Sequence, residues 1–335
     1  MLTLKKHPDN VEICKLKVGK GKKTVPVFWH PVRNKDLRLS VTDVNTFNSE
    51  LFRDRFRLSK GQADEIIAGI KNDTTPEGSG LHQKYFKVKK YIEDSLYNEM
   101  DLLGSQQEIE LCFPPGNDTW CGNSLVCGAS SSGKTWHVVS QFKKNLEGPE
   151  KDRRQFLIIS NEWQNDKTLS QLKENEKYRP YITGIDVSER SLQRSQHDSA
   201  QSFFDEEVRP HLEFADRGTV VFLDDPCDAC CHKQLRHTIN RMLRTSRHDD
   251  VSLMFVLHRI ASGIWSSQAN SSCKFFVLFP RSQRGKCRDF LNKVIGLTLS
   301  ESREIIHNFS QAGRAMTVRL FSPQCIMTKK RLQLI

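Results

Sequence analysis

The stretch VCGASSSGKTWHVV, residues 126–139, decides how the rest of the chain is read. A short apolar run meets a Gly/Ser-rich turn, then Lys-Thr, then an apolar pattern of helical period. Gly128, Ala129, Ser130, Ser131, Ser132, Gly133, Lys134 and Thr135 fit the pattern G-x-x-x-x-G-K-[ST]. Glycines let the backbone curl until its N–H groups face one anion. The helix that follows turns its positive end to the same place. In this pattern the loop cradles nucleotide phosphates. Lys134 reaches the β- and γ-phosphates, and the Thr135 hydroxyl ligates Mg²⁺. Val138, Val139, Phe142 and Leu146 fall on one face of the expected helix. The alternative is a Ser/Gly-rich β-to-α turn with no ligand; the strand before and the helix after favour the cradle.

Outward from the loop, the chain alternates strands and helices. EIELCF, NSLVC, RRQFLIIS, GTVVFLDD, VSLMFVLH and CKFFVLFP read as short buried strands, most of them separated by helical stretches. Continuous β-branched runs at such spacing predict an α/β fold with a mostly parallel central sheet covered on both faces. Later, CRDFLNKVIGL and LSESREIIHNFSQAG predict two helices. Thr298 and Glu301 fit a capping box, and Gly313 a helix C-terminus. The segments RAMTVRLFSP and CIMTKKRLQLI predict a closing β-hairpin.

A phosphate loop does not define a reaction. TVVFLDDP ends a strand in Asp224 and Asp225, where open α/β sheets bind ligands. Asp224 would hold the Mg²⁺ water shell, and Asp225 would orient and deprotonate an attacking water. Acids that merely cap the following turn are the plainer alternative. Next, Leu235, Ile239, Met242 and Leu243 form one apolar helix face, studded elsewhere by Arg236, Arg241 and Arg244. Arg247 and His248 precede the fourth strand, and His258 closes it. There His258 could hydrogen-bond the γ-phosphate or the attacking water.

The ordered set GASSSGKT, VVFLDD and LRTSRHDDVSLMFVLH resembles the FtsK/HerA superfamily of P-loop ATPases. Within it, the set is similar to the genome-packaging ATPases of large double-stranded DNA viruses, virophages and self-synthesising transposons. The resemblance covers residues 120–282 and leaves 1–105 outside. It implies a RecA/FtsK-like core, ATP and Mg²⁺ as cofactors, and an oligomeric ring in which one subunit's arginine completes its neighbour's site. Lys134 and Thr135 match the Walker A pair, Asp224 and Asp225 the Walker B pair, and Arg247 the arginine before the sensor strand. His258 stands where a glutamine is common, and Asp225 where many related ATPases have Glu.

Composition bounds the partners. The chain has 335 residues, 37% hydrophobic and 27% charged, with a net charge of +11. Within residues 1–40, ten Lys and Arg stand against Asp9, Glu12 and Asp36. Clustered basic charge points to a polyanion partner. Residues 1–105 read as a basic accessory region, with strand-like TVPVFWHPV and helix-like SKGQADEIIAGIK and VKKYIEDSLYNEMDLL around a turn-rich NDTTPEGSG. Residues 106–335 read as the ATPase domain. No apolar run is long enough for a transmembrane helix, and the N-terminus lacks a signal peptide's apolar stretch. Ten cysteines at irregular positions then suit a reducing compartment. CDACCH groups Cys227, Cys230, Cys231 and His232, which invites zinc with His237 or Cys273. No second Cys-x-x-Cys exists, and reduced cysteines near the site are the stronger reading. Asn161, Glu162 and Trp163 follow the second strand, either as base or water contacts or as an ordinary loop. Arg281, Arg284, Lys286 and Arg288 form a basic turn suited to DNA backbone or to solvent.

Together these expectations describe an ATP-driven double-stranded DNA translocase that packages a viral genome. Capsid vertex proteins are further partners, and the virion or the assembly site in the host cell is its place. Three alternatives stay open: a nucleotide-dependent switch or scaffold, a small-molecule kinase, and a cellular FtsK/HerA-type DNA pump.

Overall fold

Strand runs with no charged residue inside them, such as SLVC, VVFL and SLMFVL, can only be buried on both faces, and the structure buries them so. The structure, a computed structural model, describes residues 2–4, 10–18, 24–29, 49–76, 79–93, 99–101, 109–112, 122–195, 197–215, 218–245, 248–258, 271–321 and 323–335. They divide into two compact units, Met1–Cys112 with Lys330–Ile335, and Phe113–Lys329.

In the first unit, β1 (Leu2–Thr3), β2 (Val11–Val18) and β3 (Thr24–Trp29) pair antiparallel in the order β1-β3-β2. Helices α1 (Ser49–Phe56), α2 (Lys60–Asn72) and α3 (Ser79–Glu93) follow, then β4 (Glu99–Asp101) and β5 (Ile109–Cys112). Strand β5 pairs with β2, so the expected strand EIELCF belongs with this sheet. Phe52, Leu58, Ala63, Ile66, Ile70, Tyr85, Val88 and Ile92 make a helical core of their own. The helix expected over 88–103 begins earlier and ends at Glu93. Beyond it, Glu99–Asp101 is extended because Arg331–Leu334 pairs with it antiparallel, a partner more than two hundred residues away that local periodicity does not reveal.

The second unit contains β6 (Ser124–Cys127), α4 (Lys134–Leu146), β7 (Gln155–Ser160), α5 (Lys167–Lys173), β8 (Ile182–Asp186) and α6 (Glu189–Arg194). Then α7 (Ala200–Phe203) runs through a π-turn, Phe204–Val208, into α8 (Arg209–Glu213). After it come β9 (Thr219–Asp224), α9 (His232–Thr245), β10 (Ser252–Leu257), β11 (Phe275–Leu278), α10 (Arg284–Lys293), α11 (Leu299–Ala312), β12 (Met316–Arg319) and β13 (Cys325–Met327). Across the sheet the order is β8-β7-β9-β10-β6-β11-β12-β13. The first six are parallel, and β12 and β13 form an antiparallel hairpin, to which the expected second strand, 325–335, contributes only Cys325–Met327.

Strand β8 is the one parallel strand not expected from sequence. Its ITGID carries Gly and Asp, which strands disfavour. Gly184 is there because the Trp163 ring lies against it, where a Cβ would overlap the indole. Helix α4 packs Val138, Val139, Phe142 and Leu146 into the core with Phe156, Phe222 and Val256, as its pattern predicts. The capping box at α11 forms: Glu301 N–H donates to Thr298 Oγ1 at 3.2 Å, and Thr298 N–H to Glu301 Oε2 at 2.9 Å. Among the described residues, no helix is long and apolar enough to cross a membrane.

Candidate phosphate-binding site

The parallel register sets the site. Cys127 aligns with Leu257, Val256 with Asp224, and Asp224 with Ser160. The residues that follow, Gly128, His258, Asp225 and Asn161, therefore leave the sheet together at its carboxyl edge. The strand after β6 lies to one side of it and the strand after β10 to the other, so the connections diverge here. Such a divergence opens a crevice at the strand ends.

The loop Gly128–Thr135 bridges β6 and α4. Gly128 N–H donates to the Leu257 carbonyl at 3.3 Å, and a Cβ at Gly128 would collide with Ser132 Oγ and the Phe279 ring. Gly133 caps α4 at φ 96, a left-handed conformation open mainly to glycine. Ser131 also has positive φ, at 60. Ser132 Oγ is buried without a hydrogen-bond partner, which a ligand with acceptor oxygens would supply. Lys134 is buried, and its Nζ donates to the Ala129 carbonyl at 3.1 Å. Burial lowers its pKa below the ordinary value, and Asp225 and Asp224 oppose that shift. Ser130 is exposed and Thr135 half-buried.

Asp225 faces Lys134 through a histidine. Lys134 Nζ lies 3.2 Å from His258 Nδ1, and His258 Nε2 lies 2.8 Å from Asp225 Oδ2. An ammonium has no lone pair to accept a bond, so Nδ1 accepts, and Nε2–H donates to the carboxylate. The Asp225 backbone is held on both sides. Its N–H donates to the Val256 carbonyl at 3.1 Å, and its carbonyl accepts from Asn161 Nδ2 at 3.0 Å. Its φ of 45 is a conformation Asp tolerates better than most residues. Behind it, Asp224 is buried and accepts from Ser160 Oγ at 3.3 Å. Burial, reinforced by Asp225, raises Asp224 to about 7. Asp225 is also raised, chiefly by burial, with His258 and Lys134 pulling it back.

The structure thus gathers Gly128–Thr135, Asp224, Asp225 and His258. Arg247 lies outside the described residues. Asn161 positions Asp225, and Trp163 is a core residue stacked by Gly184 rather than a ligand contact. Cys127 is fully buried, as a small core residue. Cys230 accepts a hydrogen bond from Cys231, which lowers its pKa. Among the described residues, no group of three or more His, Cys, Asp or Glu side chains is placed to hold a metal ion, Cys227–His232 included. Magnesium differs, since it takes one or two protein oxygens with phosphates and waters. The Thr135 hydroxyl and Asp224 carboxylate are such donors. Sequence reasoning missed Ser160, though its place at the end of β7 is legible. It also missed Arg314, whose Nη2 donates to the Ser131 carbonyl at 2.9 Å across 183 residues of chain.

No protein-family model and no curated protein matches the chain. Several solved structures are similar to it. The genome packaging NTPase B204 of Sulfolobus turreted icosahedral virus 2, in complex with ATP-gammaS, is 14% identical, with a TM-score of 0.36, over 67% of this chain and 100% of that one. The cytoplasmic domain of the Thermomonospora curvata type VII secretion ATPase EccC is 10% identical, with a TM-score of 0.40, over 71% of this chain and 28% of that one. A KaiC-like protein of Pyrococcus horikoshii OT3 is 13% identical, with a TM-score of 0.31, over 48% and 72%. A parallel sheet, a glycine-edged loop ahead of α4, and paired carboxylates at the same edge give residues 113–329 the α/β fold of a P-loop NTPase.

Proposed function

We propose that this chain is an ATPase that drives double-stranded DNA into a viral capsid, working as a ring of like subunits. The observation that carries the ATPase reading is the series Lys134–His258–Asp225 across the mouth of the phosphate loop. On nucleotide binding, Lys134 exchanges the Ala129 carbonyl and His258 for the β- and γ-phosphates. Ser132 Oγ and the loop N–H groups donate to the same oxygens. Asp225, held by its backbone contacts and by His258 Nε2–H, takes the proton of a water attacking the γ-phosphate in line, while the bond from the γ-phosphorus to the β–γ bridging oxygen breaks and ADP leaves with that oxygen. Thr135 and Asp224 would hold Mg²⁺, which when bound spreads the phosphate charge. Arg247 from a neighbouring subunit would complete the charge balance.

The DNA step rests on different ground. The ordered motifs resemble those of packaging ATPases, and the net charge of +11 suits a polyanion. Arg284, Arg288, Arg303 and His307 line a cleft of about 220 Å³ between α10 and α11, a place for backbone phosphates. Capsid vertex proteins as partners, and the virion or assembly site as location, belong to the same proposal.

The test is ATP turnover by the wild type and by Lys134→Ala, each with and without duplex DNA. The expected result is DNA-stimulated wild-type turnover and a loss of about 100-fold or more in the variant. Lys134→Ala turning over like the wild type would sink the site. Wild-type turnover indifferent to DNA would sink the motor and leave a switch.

A further inference from the structure

Arg314, in the short segment between α11 and β12, is an exposed residue with an unusual position. Its Nη2 donates to the Ser131 carbonyl at 2.9 Å. A Cβ at Gly133 would sit 3.2 Å from its Cζ, 3.4 Å from Nη1 and 3.5 Å from Nε, so the guanidinium lies against the loop where α4 begins. No carboxylate pairs with Arg314 among the described residues.

This is an electrostatic conflict. A helix N-terminus favours negative charge. Here α4 has no acid in its first turn and no side-chain cap, and both Lys134 and Arg314 converge on that end. A local rule broken without compensation marks a functional position. An anion resolves the conflict, and Ser132 Oγ, beside Gly128 in the same loop, is buried and without a hydrogen-bond partner. A guanidinium has five donors, and the Ser131 bond uses one; its planar fork suits phosphate oxygens.

We propose that Arg314 is a nucleotide-binding residue that contacts, in cis, the phosphates of the nucleotide held by its own subunit's loop. This rests on the nucleotide reading of Gly128–Thr135. It makes Arg314 distinct from an arginine supplied by a neighbour. It also ties the segment between α11 and β12 to the nucleotide.

The test is equilibrium binding of a fluorescent ATP analogue to the full chain, for wild type, Arg314→Ala, Arg314→Gln and Arg314→Lys, with thermal melts of each nucleotide-free protein. A charge-assisted phosphate contact predicts about 10- to 100-fold weaker binding for Ala and Gln, partial retention for Lys, and unchanged melts. Gln keeps a neutral donor but ends two bonds short of the Nη2 that meets the Ser131 carbonyl. Wild-type affinity in Arg314→Gln would show that neither the charge nor that bond matters to the nucleotide, and would overturn the inference. So would Arg314→Ala binding within about twofold of wild type. If Arg314→Ala fails to fold, the Gln and Lys pair decides. A wild-type chain that binds no ATP overturns the nucleotide reading itself, whereas binding unaffected by Arg314 overturns only this inference.

Discussion

Asp224 and Asp225 are adjacent in sequence yet held in different surroundings. Asp224 is the last residue of β9, buried under Ser160; Asp225 has turned out of the sheet to meet His258. Burial first, then Asp225, lifts Asp224 from 3.8 to about 7. In the unfolded chain it ionises near 3.8, so across the interval up to about 7 the folded state keeps a proton that the unfolded chain has released. Stability therefore falls as pH rises through that window and levels off above it. In metal-free protein, Asp224→Asn should melt with the wild type near pH 4 and above it near pH 8, while losing ATP turnover. Melting curves in chelator across that range check this, and coincident curves at pH 8 would contradict it. Under the proposed function, the buried carboxylate gives up stability for a place beside Mg²⁺.

At the scale of elements, the clearest case is β8 against the loop after β7. Trp163 is buried in the core because Gly184 leaves room for its ring. Gly184→Ala would force the indole out of place, since the neighbour is a packed ring and not a flexible tip. The expected loss is about 1–3 kcal/mol, read as a lower denaturation midpoint at unchanged slope. The parallel strands that were legible are apolar runs such as VVFLD up to its final Asp, and IELC and MTVR were legible although they carry Glu110 and Arg319. Strand β8 was not legible, because its Gly and Asp serve a neighbour and a turn. The helix expected over 88–103 holds as far as Glu93, and residues 99–101 depart from it for a related reason: they are extended by pairing with Arg331–Leu334.

For the molecule as a whole, charge leads to a measurable slope. Each phosphate neutralised releases counterions, changing the slope of log K against log salt by about 0.9. Arg284→Gln and Arg303→Gln should each flatten the slope for duplex DNA by about that amount. Arg288→Gln should do less, because Asp289 already holds its guanidinium at 2.9 Å. A slope unchanged in all three would remove the α10–α11 cleft from the DNA surface. The compact units run 1–112 with 330–335, and 113–329, so the C-terminal residues leave the unit that holds the hairpin before them. The crossing falls in the basic triplet Lys329-Lys330-Arg331, between the apolar runs of CIMTKKRLQLI.

The sequence by itself determined the glycine-edged loop Gly128–Thr135, the strand that delivers Asp224 and Asp225, and the strand that delivers His258. Each is a short-range pattern, in which apolar runs must be buried and the residues at their ends must emerge at an edge. Tertiary structure alone decided what those ends do to one another. His258 joins Lys134 to Asp225 because β10 lies between β6 and β9, an order no local pattern encodes. Asn161 braces Asp225, Ser160 sits on Asp224, and Arg314 reaches the loop from far along the chain, because parallel register and the α11–β12 turn bring distant residues within hydrogen-bond range.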